Sequence, residues 1–395
     1  MEIIKLKDLS EQLVTPAYVF SSAEFAERAT LVKEAFGDQI GLCFSIKANP
    51  FLLQQLPDVF DKIEVCSPGE LTICEKTGMD MSKVIFSGVN KTHKDVSRAM
   101  DDSVGVFTAE SMLHVKLIND CAVERNRKVP VLLRLTGGSQ FGMDEQEISS
   151  VIGNRDIYGG IEIVGLHYFT GTQKKKSTVI EKELRYIEQF AQQIQSAHNF
   201  RLQKIEYGTG LAVDYFAENA DDLEKERLYA IAPLLRDLAQ RYELTVEMGR
   251  FFAAPCGYYF TKVIDTKTNC GVHYAILDGG LNQLKYDGQL QGMQIPMIRH
   301  LVNRDNSGCE AEKWTLCGSL CTTADVLARN VELKDLQIGD ILVFERTGAY
   351  SAMEGMSIFL SREIPQIAML SHEKGLQVVR QQIHSDIFNT PYGLG

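Results

Sequence analysis

Eight short apolar runs, each followed by a segment with helical periodicity, constrain the fold of this chain more than any other feature. Capping-box-like pairs support the alternation, because they are typical of helix starts. Eight strand–helix repeats over about 210 residues match a closed α/β fold, the (β/α)8 barrel, better than an open sheet with two unprotected edges. The runs occupy residues 41–45, 62–65, 84–86, 104–108, 129–135, 161–169, 204–207 and 244–247, and the pairs are Thr92 with Asp95, Asp144 with Glu147, Thr178 with Glu181 and Asp221 with Glu224.

After Arg250 the pattern changes to short aromatic and β-branched runs that are separated by turns. These runs lie at residues 258–264, 272–277, 314–316, 341–344 and 366–370. Such spacing is typical of a mainly β domain. We therefore predict a barrel domain over residues 25–255 and a C-terminal mainly-β domain, 256–395, which residues 1–24 join. The polar tail from residue 381 carries no readable signal.

Composition and charge exclude several classes of protein. The net charge is -11, from 41 basic and 52 acidic residues, which disfavours nucleic acid and anionic membranes as partners. No run approaches the roughly 18 apolar residues of a membrane span, and the N-terminus lacks a signal-peptide profile. The nine cysteines are scattered and match neither a disulfide framework nor paired metal ligands. We expect a cytoplasmic protein with free thiols and no metal.

Lys47 ends the apolar run of the first barrel strand. Pro50 follows closely and biases Asn49 away from the helical region. A lysine held in apolar surroundings loses solvation of its ammonium form, which lowers its pKa and frees the amine to attack carbonyls. The alternative is a lysine whose stem lies on apolar surface while its amine reaches water. These residues alone leave both interpretations open.

Three further clusters follow the sixth, seventh and eighth predicted strands. The stretch from Tyr168 to Gln173 offers an aromatic face and a Gly-Thr pair that can donate to phosphate oxygens. Gly208-Thr209-Gly210 allows backbone N–H groups to approach an anion, and Glu247-Met248-Gly249-Arg250 combines a carboxylate with a guanidinium. A lysine amine, a stacking face, a phosphate cradle and a carboxylate for a ring nitrogen together predict pyridoxal 5'-phosphate chemistry.

With these motifs the chain resembles the fold-type III pyridoxal-phosphate-dependent decarboxylases, the alanine-racemase-like group that contains diaminopimelate and ornithine decarboxylases. The resemblance runs from Thr15 to about Leu370. It implies that Lys47 forms the Schiff base with the cofactor and that Glu247 holds the pyridine nitrogen protonated. It also implies that the phosphate is bound by the residues that match the family's cradle, Thr172, Gly208, Gly210, Gly249 and Arg250.

The resemblance also assigns roles in the C-terminal domain. Gly318 to Asp325 looks like the family's cysteine loop, in which Cys321 would reach the active site of a neighbouring subunit and reprotonate Cα. Tyr350, in Gly348-Ala349-Tyr350, matches a tyrosine that contacts the phosphate. The resemblance thus implies a homodimer with shared active sites, and it leaves Cys317 as a buried strand thiol.

Several positions depart from the pattern of diaminopimelate decarboxylases. Thr322 replaces the usual acid after the cysteine, and the usual substrate arginine is missing where Lys285 and Tyr286 stand. Phe169 replaces the histidine that stacks on the cofactor, while His167, two residues earlier, is interpreted as a core histidine. The substrate candidates are Lys285, Tyr286, Thr322, Asp325 and Glu354.

The residues from Gly348 to Arg362 resemble a natural-product and siderophore branch, which includes the glutamyl-carrier-protein decarboxylase of butirosin biosynthesis. We therefore predict decarboxylation of an L-amino acid, free or carrier-bound, whose distal end is not a simple ammonium. The alternatives are diaminopimelate decarboxylase, an amino acid racemase, which would not need the cysteine loop, and a catalytically silent regulator, which would not need Lys47 and its companions.

Overall fold

The computed structural model describes residues 1–391 and divides into two compact units. The barrel unit contains Ala26–Val213 and Asp221–Phe252, and the β-rich unit contains Met1–Phe25, Asp214–Ala220 and the chain from Ala253 onward. The division differs from the predicted one at residues 214–220, which belong to the β-rich unit. The physical reason is aromatic packing, because the rings of Tyr215 and Phe216 lie 5.4 and 6.0 Å from that of Tyr286.

Regular elements cover most of both units. The strands are β1 (Ala17–Ser21), β2 (Gly41–Ser45), β3 (Lys62–Val65), β4 (Val84–Phe86), β5 (Val106–Ala109), β6 (Val129–Leu135), β7 (Ile161–Tyr168), β8 (Lys204–Gly208), β9 (Glu243–Met248), β10 (Gly257–Asn269), β11 (Val272–Leu277), β12 (Ile298–Leu301), β13 (Ala311–Cys317), β14 (Val326–Lys334), β15 (Ile341–Glu345), β16 (Gln366–Ser371) and β17 (Gly375–Arg380). The α-helices are α1 (Ile3–Ser10), α2 (Ser22–Phe36), α3 (Pro68–Lys76), α4 (His93–Asp101), α5 (Met112–Glu124), α6 (Glu145–Gly153), α7 (Ser177–His198), α8 (Ala220–Ala239), α9 (Arg250–Ala253) and α10 (Asp386–Asn389). Short 3₁₀ segments lie at Ile46–Ala48, Pro50–Gln55, Met81–Lys83, Arg155–Ile157, Ala254–Cys256 and Phe359–Ser361.

Strands β2 to β9 form a closed parallel barrel, which confirms the predicted fold. The barrel closes where β2 pairs with β9, with Cys43 opposite Glu247. Every strand is parallel to its neighbours, so all carboxyl ends lie at one rim. In barrels of this kind that rim carries the chemistry. The motifs predicted at the ends of strands therefore share one end of the barrel.

Two of the four predicted capping boxes form and two do not. The Thr92–Asp95 and Asp144–Glu147 boxes are complete, with each side chain bonded to the other's backbone N–H. Helix α7 instead begins at Ser177 after Lys176, without a side-chain cap. The second failure is at α8, which begins at Ala220, so Asp221 lies inside the first turn and not at the N-cap of a box with Glu224. Glu224 is fully buried and accepts from the Arg28 guanidinium at 2.6 Å.

The β-rich unit is built on a nine-stranded sheet, and the mainly-β prediction is confirmed. Its main path runs β14-β13-β11-β10-β1-β16-β17, while β15 pairs with β10 and β12. The N-terminal strand β1 lies between β10 and β16, as the assignment of residues 1–24 requires. Strands β12, β14 and β17 have no counterpart in the predicted runs, because charged or polar residues interrupt their apolar pattern. These are Arg299 and His300 in β12, Arg329 and Asn330 in β14, and Gln377 and Arg380 in β17.

No helix within residues 1–391 is both long and apolar enough to cross a membrane.

Candidate active site

Lys47 lies just beyond the carboxyl end of β2. The strand ends at Ser45, and Lys47 is in the 3₁₀ turn Ile46–Ala48 that follows it. Asn49 is extended, with φ -167° and ψ 98°, and its side-chain oxygen accepts from the Phe51 N–H at 3.1 Å. The Lys47 side chain is 36% exposed. The turn thus places the amine at the barrel rim, within reach of a ligand.

The surroundings of Lys47 are acidic and not apolar, which corrects the expectation from the sequence. Its Nζ lies 2.7 Å from Glu64 Oε2, 3.6 Å from Glu247 Oε1 and 3.5 Å from Cys66 Sγ. Strand register is the cause, because β3 and β9 flank β2 and place Glu64 opposite Ser45. The amine therefore faces two carboxylates.

Glu247 is a buried carboxylate with three favourable neighbours. Ser45 Oγ donates to Oε1 at 2.8 Å, and His167 Nε2 lies 3.0 Å from Oε2. A carboxylate only accepts hydrogen bonds, so Nε2 carries the proton in this contact. Burial acts to raise the pKa of Glu247, but the Lys47 charge and the His167 hydrogen bond outweigh it and hold the pKa well below its usual value. Glu247 is therefore an anion aimed at the rim.

His167 and Glu206 complete this group in the barrel interior. They lie opposite each other on β7 and β8, and each is 2% exposed. A ring nitrogen of His167 and one carboxylate oxygen from each of Glu206 and Glu247 lie within 4.8 Å of one another. Burial, then the charges of Glu247 and Glu64, raise the pKa of Glu206 well above its usual value. His167 is thus a buried histidine, as the sequence suggested, and it contacts the Glu247 carboxylate directly.

Glycines allow the loops after β7 and β8 to meet. A Cβ at Gly208 would lie 2.6 Å from the Phe169 ring, and one at Gly210 would collide with the carbonyl oxygen of Gly171. Gly210 also has φ +58°, which favours glycine. The Gly210 carbonyl accepts from the Lys174 N–H at 2.8 Å. The half-buried Phe169 and the exposed Thr172 therefore stand beside Gly208 and Gly210, as the predicted cradle requires.

Gly249 allows the end of β9 to pack on the turn after β2. A Cβ at Gly249 would lie 2.8 Å from Ala48 Cβ and 3.1 Å from the Ser45 carbonyl oxygen. Arg250 follows directly as the first residue of α9 and is half-buried. The structure therefore brings the Lys47 turn, Gly249 and Arg250 to one place on the rim.

The cysteine loop is held within the β-rich unit by Asp325. Asp325 is 2% exposed, and its two oxygens accept from the backbone N–H groups of Leu281 and Leu320, each at 2.8 Å. The prediction of Asp325 as a substrate contact is not supported, because the carboxylate is buried and occupied by the loop. Cys321 and Thr322 are exposed at its tip, so their side chains can reach outward.

The segments around Lys285 and Tyr350 face each other in the same unit. Lys285 Nζ lies 2.8 Å from Glu354 Oε2, with the side chains 53% and 42% exposed. Ser351 Oγ donates to the Lys285 carbonyl oxygen at 2.5 Å. Tyr350 adopts φ +66°, a strained conformation for an aromatic residue, and its carbonyl oxygen accepts from the Glu354 N–H at 2.9 Å.

Tyr286 is a core residue in this unit, which corrects its prediction as a substrate contact. It is 5% exposed, and its hydroxyl donates to the Glu345 carbonyl oxygen at 2.6 Å. Its ring packs against those of Tyr215 and Phe216. A side chain that is enclosed in this way has no surface left for a substrate.

Sequence reasoning missed Ser45, Glu64, Cys66 and Glu206, although two of them carried a signal. Glu64 and Glu206 each stand inside an apolar strand run, Ile63-Glu64-Val65 and Ile205-Glu206-Tyr207. A charged residue at a position that should be buried is a functional candidate, since burial of an unpaired charge is costly. Ser45 and Cys66 are small residues without such a signal.

Comparison with known proteins agrees with this geometry. Residues 22–254 match the family model described as the pyridoxal-dependent decarboxylase, pyridoxal binding domain. The chain belongs to this family. It is 26% identical to a diaminopimelate decarboxylase of Aquifex aeolicus over 89% of this chain and 85% of the relative. It is also 26% identical to the L-glutamyl-[BtrI acyl-carrier protein] decarboxylase of Niallia circulans over 96% and 94%. The fold matches a diaminopimelate decarboxylase of M. jannaschii in co-complex with L-lysine, with TM-score 0.84, 22% identity, and 96% and 93% coverage.

The enzyme is therefore a pyridoxal-phosphate-dependent amino acid decarboxylase, and its residues fit that cofactor. The Lys47 amine is accessible at the rim, and Glu247 offers an ionised acceptor. The loops after β7 and β8 approach each other closely at Gly208 and Gly210, where a side chain would clash with the Phe169 ring or the Gly171 carbonyl oxygen. Membership in a family of decarboxylases sets aside the racemase and the silent regulator.

Proposed function

We propose that this decarboxylase acts on an L-amino acid whose distal end is an acyl, amide or carrier-linked group, in a specialised biosynthetic pathway. The observation that carries the proposal is the 2.8 Å ion pair between Lys285 and Glu354. These two charged residues, with Thr322, are the remaining candidates for contact with the distal end of the substrate. Together they present a neutral pair and a hydroxyl, which suits an uncharged group.

A distal ammonium would need an acid of its own, because a desolvated cation without a partner is costly. Glu354 could supply that acid only if it were free of Lys285. The likeness to the carrier-protein decarboxylase of Niallia circulans over 96% of this chain also supports a conjugated substrate. The second candidate is diaminopimelate decarboxylase, favoured by the relative from Aquifex aeolicus.

We assign the cofactor contacts to the rim residues of the barrel. Lys47 would hold the cofactor covalently, Phe169 would cover a face of its ring, and Glu247 would keep a proton on the ring nitrogen. The backbone at Gly208, Gly210 and Gly249, with Thr172 and Arg250, would hold the phosphate, and Tyr350 of the β-rich unit stays the further phosphate contact that the resemblance implies. When bound, pyridoxal phosphate accepts the electrons that are released as carbon dioxide leaves.

We assign reprotonation of Cα to Cys321 from a second subunit. Its thiol is exposed at the tip of a loop that Asp325 holds in shape. A loop positioned by two backbone hydrogen bonds can present a side chain at a fixed place to a partner. The active form would then be a homodimer in which each site uses both chains.

Diaminopimelate should be a poor substrate. We expect its kcat/KM to lie at least about tenfold below that of a γ-glutamyl or carrier-linked donor, because Glu354, the acid among the proposed substrate contacts, is already paired with Lys285. Release of carbon dioxide from matched amounts of each compound measures the preference directly.

Two variants separate the roles of the ion pair. Lys285→Gln frees Glu354, so it should improve diaminopimelate turnover relative to the conjugated donor by about three- to tenfold. Glu354→Gln frees Lys285 and should shift the preference towards donors with a distal carboxylate. If the wild-type enzyme decarboxylates diaminopimelate efficiently and loses this activity in Glu354→Gln, diaminopimelate is its substrate and the proposal fails.

Mixing two inactive variants should restore activity if the site is shared. We expect Lys47→Ala and Cys321→Ala homodimers each to lose at least about 10²-fold in kcat. After subunit exchange, half of the dimers are heterodimers and each has one intact site, so activity should return to about a quarter of wild type. The measurement is carbon dioxide release before and after exchange.

Exchange itself is followed by native mass spectrometry of the mixed dimers. Mixing Lys47→Ala with Cys317→Ala controls for a thiol four residues away, because the activity of this mixture should stay at about half of wild type whether or not subunits exchange. Cys317 is half-buried at the end of β13, so its loss should not impair the homodimer. Exchange without recovery of activity would show that Lys47 and Cys321 do not act in one site across subunits.

A further inference from the structure

The group of buried acids beside Lys47 contains two carboxyls, Glu64 and Glu206, that the assigned chemistry does not use. Glu206 is 2% exposed and lies on β8 between His167 on β7 and Thr245 on β9. Its Oε1 is buried and has no hydrogen-bond partner in the described part of the chain. An oxygen of Glu206 nevertheless lies within 4.8 Å of an oxygen of Glu247 and a ring nitrogen of His167.

Two carboxylates this close and this buried do not both ionise, so one of them retains a proton. The surrounding contacts decide which one. Glu247 receives the Ser45 hydroxyl at 2.8 Å and His167 Nε2 at 3.0 Å, and the Lys47 ammonium stands 3.6 Å away. Each of these groups stabilises the anion. Glu206 has no comparable donor at its buried Oε1, so the proton belongs there.

Glu64 is the other acid that could hold the proton. Its Oε2 lies 2.7 Å from Lys47 Nζ, and its Oε1 accepts from the Cys66 thiol at 3.1 Å. Both oxygens of Glu64 therefore already accept hydrogen bonds, whereas the buried Oε1 of Glu206 accepts none within the described residues. The charges of Lys47 and Lys62 favour ionisation of Glu206, but burial and the charges of Glu247 and Glu64 outweigh them and raise its pKa.

We propose that Glu206 is a neutral carboxylic acid at neutral pH and a positioning residue for Glu247. By keeping its proton, Glu206 adds no second negative charge beside Glu247. Glu247, held by Ser45 and His167, then presents its charge to the rim in a fixed orientation. The role rests on the proposed contact between Glu247 and the cofactor ring, but the protonation state does not, and it can be measured in cofactor-free protein.

Burial and the neighbouring acids act on the pKa of Glu206 in the same direction, upward from 4.5. The folded chain then binds a proton that the unfolded chain releases as pH rises above 4.5. Stability that depends on Glu206 therefore falls as pH rises, up to the raised pKa of the folded state. Per retained proton, the unfolding constant rises about tenfold for each pH unit in that window.

The first test compares wild type with Glu206→Gln, which has nearly the same shape and no proton to lose. Infrared difference spectra of cofactor-free protein at pH 7 should show a protonated-carboxyl C=O band in wild type and in Glu64→Gln, but not in Glu206→Gln. Urea unfolding at fixed protein concentration should show the wild-type unfolding constant rising by about tenfold per pH unit relative to Glu206→Gln. A wild type without the band, a band lost in Glu64→Gln instead, or parallel stability curves would overturn the assignment.

A histidine and two carboxylates can also bind a divalent cation. The hydrogen bond between His167 and Glu247 argues for a proton and against a metal ion. The Nε2 atom that would bind a metal already donates its proton to Glu247. Metal analysis before and after chelation decides the point. A bound cation would be shown by about one zinc ion per wild-type chain that is lost in Glu206→Gln, and by a carboxyl band that appears in wild type only after chelation. That result would contradict the proposed proton on Glu206.

The positioning role is tested by cofactor binding. Glu206→Leu should weaken pyridoxal phosphate affinity by about tenfold, and Glu206→Gln should recover most of it, because the amide keeps the polar contact without a charge. An equal loss in both variants would overturn the positioning role. If Glu206→Leu does not fold, the spectra and unfolding curves of wild type and Glu206→Gln still decide the protonation state. If Glu247 does not contact the cofactor, neither Glu206 variant changes cofactor affinity, while the carboxyl band remains.

Discussion

Lys47→Ala should lower kcat by more than about 10³-fold and remove the borohydride-reducible absorbance of the holoenzyme, because the amine takes part in the chemistry. The fold should persist, since the Lys47 side chain is 36% exposed. Glu64 and Glu247 would lose a cationic neighbour, which should cost about 1–3 kcal/mol of stability in the cofactor-free protein. Activity assays, absorbance after borohydride and urea unfolding measure the three effects.

Lys47→Arg is the matched control. A guanidinium keeps the positive charge beside Glu64 and Glu247 but does not form the Schiff base, so the arginine variant should be as inactive as the alanine variant and more stable. The chemical role of Lys47 would be refuted by a variant that still forms a reducible adduct at another lysine and turns over substrate. Equal stability of the two variants would instead show that the charge does not matter for folding.

Glu247→Gln should lower kcat by about 10²–10³-fold with a smaller effect on folding, because an amide cannot hold a proton on the cofactor ring. The pKa of Glu247 is held well below its usual value, so wild-type Glu247 is ionised across neutral and mildly acidic pH. The stability that Glu247 contributes should be present above pH 4.5 and be lost as pH falls below it, because the unfolded chain binds the proton first. Steady-state kinetics and unfolding at a series of pH values check both statements.

Ser45→Ala supplies the comparison for Glu247→Gln. It removes one hydrogen bond of 2.8 Å to Glu247 and keeps the charge, so the cost should be near 1 kcal/mol, or about five- to tenfold in kcat/KM. A Glu247→Gln enzyme that is no worse than Ser45→Ala would show that the charge of Glu247 does not serve the reaction.

The eight-fold alternation was readable because each strand of a closed parallel barrel is covered by helices and so forms a continuous apolar run. Strands β2, β3, β4 and β6 begin and end at the predicted residues, and the other four differ by one or two. The prediction failed where charged or polar residues interrupt a strand, as in β12, β14 and β17. It also failed at the start of α8, because the helix begins at Ala220 and so places Asp221 inside its first turn.

For the candidate site, too, the sequence predicted some residues and misjudged others. Lys47, Gly208, Gly210, Glu247 and Gly249 were predicted because they stand at strand ends in recognisable short motifs, and the structure places them at one rim of the barrel. Asp325 and Tyr286 were misjudged because proximity in sequence to a motif does not reveal whether a side chain faces a ligand or the core. Both face the core, where Asp325 holds two backbone N–H groups and Tyr286 packs on Tyr215.

By itself the sequence determined the barrel, the β-rich second unit and the cofactor class, because these follow from periodicity and from local motifs at strand ends. Only the tertiary structure decided the electrostatics. Register across three strands places Glu64 and Glu247 around the Lys47 amine, and a further pair of strands brings Glu206 beside His167. Charges interact through space over a few ångströms, whereas these residues are up to 200 positions apart in the chain, so no local pattern records which of them holds a proton.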